Sequence, residues 1–354
     1  MTPTAHLLAL LADSHHARQL SLADWDSVLR LGRQARLLGM LYQQLRADPE
    51  QAALIPAVVD QHLRAARNYT AYRRQLVIIE LAALAKALPE DLPVTLLKGA
   101  AYIAQGLPLA QGRLPNDVDL LVHPDDLDRA EHALTQAGWA FQEVNAYDDR
   151  YYRQWSHELP PMRFPGHPLE VDLHHTITPV TGRVKPNPGL LFGDLQPVAW
   201  QRWQVLHPAD QIIHAAVHLF QDSELSNNLR ELVDINRLIR CFIHTPADWQ
   251  QLISRAEQHG AATALGYALE GCRRWLGLAV PEDCPLPSPR GWGQALTLWT
   301  FTQAGLPTLP DQPPAISRRL AQYMGLMRYH WLRMPPGLLI RHLAVKSVRR
   351  LGVG

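Results

Sequence analysis

A chain of 354 residues, 47% hydrophobic and 19% charged, can bury a substantial core and hold two or three domains, which excludes a fibrous or disordered protein. Its net charge of +1 excludes wholesale electrostatic coating of nucleic acid, though not a local contact. Three cysteines (Cys241, Cys272 and Cys284), odd in number and without C-x-x-C spacing, exclude a disulfide frame or zinc ribbon and suggest buried thiols in a reducing compartment. The first twenty residues lack the basic n-region of a secretory signal, and no apolar run approaches a membrane span, so the cytoplasm is the expected location.

In chain order, residues 1–90 read as a helical region. Leu22, Trp25 and Leu29, then Leu38, Leu41 and Leu45, recur at three- and four-residue spacings. From Val58 to Leu88 the pattern continues, with Tyr69, Tyr72 and Leu76 as packing candidates, until Pro89 and Pro93 end it. Residues 91–206 change texture to mixed α/β. Val94 to Leu97 form a short strand, Lys98-Gly99 a turn, Ala100 to Gln105 a helix, and Gly106 to Asn116 a Gly- and Pro-rich loop carrying Arg113. A strand follows at Asp117–Val122, then a helix over 125–137 with acidic residues in its first turn, ended by Gly138, and a strand at 139–144. Residues 145–160 give no clear pattern, a hairpin is expected around Gly166, and 176–206 read as a long connection. Residues 207–354 read as a helical domain, with helices at 208–221, 226–242, 246–259, 261–275, 289–303, 315–330 and 336–350.

The chemistry concentrates in Asn116-Asp117-Val118-Asp119-Leu120. Strand alternation puts Asp117 and Asp119 on one face, roughly 6.6 Å apart. At an effective dielectric near 20 they repel by about 2.5 kcal/mol, a cost that a divalent cation bound by hard oxygens would turn into binding. Glu170-Val171-Asp172-Leu173-His174 repeats the pattern. If the two strands pair, Asp172 joins the first two carboxylates, and a two-Mg²⁺ site becomes the economical reading. Lys98-Gly99 offers a complementary phosphate seat: a glycine that permits close approach, a point charge, and a helix start. Lys98 is one of only four lysines beside 30 arginines, which makes its position informative.

Strand, Lys-Gly, helix, Arg-bearing loop, D-x-D strand and E-x-D strand in that order resemble the DNA polymerase β-like nucleotidyltransferase superfamily. More narrowly, LLKGAAYIAQGLPLAQGRLPNDVDLLV followed by VDLHHTI is similar to a bacterial family of uncharacterised nucleotidyltransferases. The resemblance covers roughly residues 94–176. It implies an α+β fold in which a small mixed β-sheet nucleotidyltransferase core is flanked by N-terminal helices and a C-terminal helical domain. It also implies that Asp117, Asp119 and Asp172 hold two Mg²⁺ ions (Mn²⁺ as substitute), and that Lys98 and Gly99 seat the phosphates of an NTP, ATP by default. Arg113, on a flexible loop, would neutralise the leaving pyrophosphate. One departure is that K-G stands where the superfamily has G-G or G-S.

The resemblance also puts a histidine like His157 before the third acidic strand and an aspartate like Asp234 at the nucleotide cleft. His174 shares the acidic strand face and could orient a carboxylate. His214 and His218 at i,i+4, without the glutamate of a metalloprotease, read as packing or an indirect contact rather than zinc ligands, and Arg230 with Asp234 as an ordinary i,i+4 pair. After Asp311 there is no acidic residue but eight basic ones, Arg318, Arg319, Arg328, Arg333, Arg341, Lys346, Arg349 and Arg350. Residues 337–351 read as a basic amphipathic helix for a membrane surface, an acidic partner or RNA, or as a solvated face.

The expected function is NMP transfer from an NTP to an acceptor hydroxyl on a small molecule, glycan precursor or peptide. The alternatives are a toxin-like or regulatory enzyme modifying protein or tRNA, an inactive nucleotide-binding module, and a helical scaffold with an incidental D-x-D.

Overall fold

The sheet that carries the acidic motifs has seven short strands in the order β3-β4-β5-β2-β1-β7-β6. They are β1 Thr95–Leu96, β2 Asp117–Leu121, β3 Ala140–Phe141, β4 Met162–Arg163, β5 Glu170–His174, β6 Gln196–Pro197 and β7 Gln204–Val205. The computed structural model describes residues 1–142, 146–200, 202–221, 224–281 and 292–341. β2 lies between β1, which is antiparallel to it, and β5, which is parallel. Val118, Leu120, Val171 and Leu173 are fully buried on one face. Each contributes roughly 1.5–3 kcal/mol by leaving water, which fixes which face the carboxylates take.

Helices α1 Pro3–Ala12, α2 Leu22–Gln34, α3 Leu38–Arg46, α4 Pro49–Ala53 and α5 Ala57–Ala87 precede the sheet. α2 starts at a capping box, Ser21 with Asp24, and Trp25, Leu29, Leu38, Leu41 and Leu45 are buried as their spacing predicts. Leu22, the first residue of α2, is exposed. So are Tyr69 and Tyr72, at 55% and 59%, which corrects their reading as packing residues: α5 is covered along only part of its 31-residue length.

α6 Lys98–Ala104, α7 Leu127–Ala137, α8 Ala146–Trp155 and α9 Pro188–Gly193 alternate with strands. α6 begins at Lys98 itself, not at Ala100. α8 occupies the stretch that shows no clear pattern in sequence. The hairpin forms around Gly166, whose φ of +83° suits glycine. Residues 176–206 are more than a connection: β7 pairs parallel with β1, and β6 extends the edge.

α10 Pro208–Gln221, α11 Leu229–Phe242, α12 Pro246–Gln258, α13 Ala262–Leu276, α14 Trp292–Thr300 and α15 Ile316–Arg333 follow. Arg318, one of the eight basic residues after Asp311, is buried and donates to the carbonyls of Gln303 and Leu306 and to Asn227 Oδ1. α15 turns Ile316, Leu320, Tyr323 and Met327 to solvent. Cys284, Lys346, Arg349, Arg350 and most of the expected helix at 336–350 lie outside the described residues.

Candidate active site

Parallel pairing of β2 with β5 places Asp117 opposite Glu170 and Asp119 opposite Asp172. Register partners in a parallel pair share a face, so Asp117, Asp119, Asp172 and His174 line one side of the sheet. Glu170, at the exposed start of β5, is taken by Arg163 and Gln142.

Asp119 is the centre of this row. It is 3% exposed, and its Oδ1 accepts from Lys98 Nζ at 3.1 Å and lies 3.1 Å from His174 Nε2. Burial opposes its ionisation, yet Lys98 and the His174 hydrogen bond hold its carboxyl well below the ordinary range. The Lys98 ammonium is disfavoured by burial too, but Asp119, Asp117 and Glu158 push its pKa upward. Asp117 goes the other way, raised by burial and by Asp119. Asp172 is raised well above the ordinary value by burial and by Asp119, Glu158 and Asp117. Its Oδ1 is buried with no hydrogen-bond partner among the described residues. Crowded carboxylate oxygens left partly unneutralised are a donor set that fits a hard divalent cation.

Lys98 takes the left-handed conformation, φ +42°, as the chain leaves β1 for α6. This strained turn carries its ammonium to β2. Gly99, next along, is needed for a reason the motif alone does not reveal. A Cβ there would lie 2.3 Å from Arg113 Nη1, so the guanidinium occupies the space above the glycine. Arg113 is therefore held, not free on a flexible loop. Its Nε donates to Asp234 Oδ2 at 2.8 Å, and its guanidinium lies 5.7 Å from the Tyr102 ring centre. Burial works against its charge, and Asp234 more than restores it. Asp234 thus pairs with Arg113 rather than Arg230, which donates to the Leu114 carbonyl and steadies the same loop.

A cavity of about 80 Å³ lies between the sheet and helices α10 and α11, lined by Lys98, Tyr102, Arg113, Asp117, Arg230 and Asp234. A larger hollow of about 560 Å³, bordered by Gln43, Arg237 and Arg240, shares no residue with it. The small cavity is the one with chemistry, because it touches the carboxylate row. His214 is buried near Lys98, and burial holds its imidazole well below the usual pKa. His218 hydrogen-bonds Glu231 at 3.1 Å, so these two do not act as a zinc pair.

His157 reaches the site. Beside it stands Glu158, which the sequence did not single out, although it sits between His157 and an apolar pair in Ser156-His157-Glu158-Leu159-Pro160. Glu158 forms an isolated antiparallel bridge with His174, and its Oε2 lies 3.3 Å from His174 Nε2. Among the described residues, the metal-type donors whose atoms all lie within 4.8 Å of one another are His157, Glu158 and His174. The aspartate row is not among them.

Residues 21–277 match the family model described as uncharacterised nucleotidyltransferase. No curated protein matches the chain, and no solved structure does.

Proposed function

We propose, for a chain that belongs to the uncharacterised nucleotidyltransferase family, the transfer of a nucleoside monophosphate from an NTP, ATP by default, to an acceptor hydroxyl. The acceptor oxygen would bond to the α-phosphorus as the bond to the α,β-bridging oxygen breaks, releasing pyrophosphate. The core would be of the polymerase β-like kind. The observation that carries this reading is the Asp119–Asp172 register, which puts an unpartnered carboxylate oxygen in the same row as Asp117, and Asp117 lines a cavity with three cations.

Asp117, Asp119 and Asp172 would hold Mg²⁺, which supplies charge neutralisation and a lowered pKa for the acceptor hydroxyl. Asp172, whose carboxyl is raised by burial and its carboxylate neighbours, is the member of the row whose ionised form would gain most from the cation. Lys98 and His174 keep Asp119 ionised and oriented before substrate arrives. Lys98, Arg113 and Arg230 line the small cavity with three cations, which would attract phosphate oxygens to its mouth. Asp234 Oδ1, buried and without a partner among the described residues, is an acceptor available to a ribose hydroxyl. In this reading Gly99 serves the phosphates by leaving room for Arg113 rather than by presenting its own backbone.

The test is pyrophosphate release and labelled transfer with each NTP, Mg²⁺ and cell extracts. Asp119→Asn should lower turnover by roughly 10³-fold or more, the scale of lost charge stabilisation in phosphoryl transfer, with thermal unfolding still cooperative. An undiminished rate in that variant ends the proposal. Label on protein or RNA instead of a small molecule would reassign the acceptor to the toxin-like class.

A further inference from the structure

We propose that His157, Glu158 and His174 form a second cation site, of the zinc class, distinct from the aspartate row. Three donor atoms converge there. His157 Nε2 lies 3.5 Å from Glu158 Oε2, and His174 Nε2 lies 3.3 Å from the same oxygen. A tetrahedral Zn²⁺ with bonds of about 2.0–2.1 Å holds its ligand atoms roughly 3.3–3.4 Å apart. Asp119 Oδ1 is 3.1 Å from His174 Nε2 but is not one of the converging donors, so the fourth position would fall to solvent.

The backbone fixes this arrangement before any ion arrives. Leu159 N donates to the Leu173 carbonyl at 2.9 Å, and His175 N to the His157 carbonyl at 3.0 Å, so the Ser156–Pro160 segment is stitched to β5 on both sides of Glu158. His157 and His174 are 5% and 0% exposed, while the Glu158 side chain, at 22%, forms the open side. His174 Nε2 donates to the Asp119 carboxylate, and Nδ1 is buried with no partner among the described residues, so an ion that takes Nε2 would shift the ring proton to Nδ1. Two imidazoles and one carboxylate favour a borderline transition ion, whereas Mg²⁺ takes oxygen. Lys98 and Arg333 act on His157 electrostatically and oppose a cation, which sets the affinity below that of a closed structural zinc site. The ion would clip the residues after α8 to β5 and replace the His174 hydrogen bond to Asp119, leaving Lys98 to orient that carboxylate. The inference stands whether or not the chain transfers nucleotides.

The experiment uses the full chain, stripped with chelator and free of nucleotide, titrated with Co²⁺. The expected result is one equivalent bound with the intense visible bands of a nitrogen-containing, low-coordinate site, displaced by Zn²⁺ and resistant to excess Mg²⁺. His157→Ala and the near-isosteric Glu158→Gln should each weaken Co²⁺ by more than about tenfold, while Asp117→Asn leaves it unchanged. Electron spin-echo spectroscopy of the wild type with one equivalent of Cu²⁺ in excess Mg²⁺ should detect ¹⁴N coupling, a readout that needs no variant to fold. The proposal is overturned by a weak all-oxygen octahedral Co²⁺ spectrum, by Cu²⁺ without nitrogen coupling, or by an affinity lost in Asp117→Asn and kept in His157→Ala. Any of these would leave His174 as a hydrogen-bonding imidazole between two carboxylates.

Discussion

Asp172 is where the sequence pays most for chemistry. Its carboxyl is pushed well above the ordinary 3.8 by burial and by three neighbouring carboxylates. A group whose pKa rises on folding binds its proton more tightly in the native state. Its destabilising effect is therefore full above the native pKa, shrinks as pH falls through it, and is gone below the unfolded value. Asp172→Asn removes that burden, so in chelator the variant should melt above the wild type at high pH, with the gap narrowing as pH falls and closing only below the ordinary value of 3.8. Equal melting temperatures at the higher pH would show that the carboxylate is relieved by some other partner. Gly99 supports a second prediction. Gly99→Ala should cost about 1–3 kcal/mol through its clash with Arg113. In an Asp234→Asn background, where the guanidinium can move, the cost should fall. Strict additivity in a denaturant double-mutant cycle would disprove the coupling. The acidic row is legible in sequence because a period of two encodes a face. The Arg113–Asp234 pair is not, since its partners are 121 residues apart and nothing local to either announces the other.

Elements show the same divide between periodic and aperiodic signals. Helices α10 to α13 begin and end within a few residues of their expected bounds, because a 3.6-residue pattern over three or four turns is redundant. β6 and β7 have two residues each, too few for any period, and their place in the sheet is set by pairing, β7 with β1 and β6 with β7, rather than by their own sequence. Polar links between elements are equally silent in sequence. Glu80, in the middle of α5, is 2% exposed; its Oε1 accepts from Trp139 Nε1 at 2.9 Å and its Oε2 lies 2.5 Å from His167 Nδ1. One carboxylate thus ties α5 to the residue before β3 and to the turn between β4 and β5. Glu80→Ala would strand both partners, at about 3 kcal/mol, whereas Glu80→Gln keeps an acceptor for Trp139. Urea unfolding with tryptophan fluorescence would register the difference, and equal midpoints for the two variants would refute it.

At the scale of the whole molecule, the apolar cluster runs from Leu7 to Leu306 and takes residues from the N-terminal helices, the sheet and the later helices alike. The cavity beside Asp117 exists because α10 and α11 pack over the acidic face of the sheet, a relation that motif order cannot express. What the motifs did express was the chemistry, since residues 94–176 contain every carboxylate of the row.

The parallel pairing of β2 with β5 has one further consequence. Two parallel neighbours cannot be joined by a tight turn, so residues 122–169 must fold across before the strands meet. Until that crossing closes, the molecule owns half a reaction centre, with Asp117 and Asp119 assembled and Asp172 elsewhere. Under the proposed function, a newborn chain would stay inert until this crossing closes, so that maturity and competence arrive in the same event.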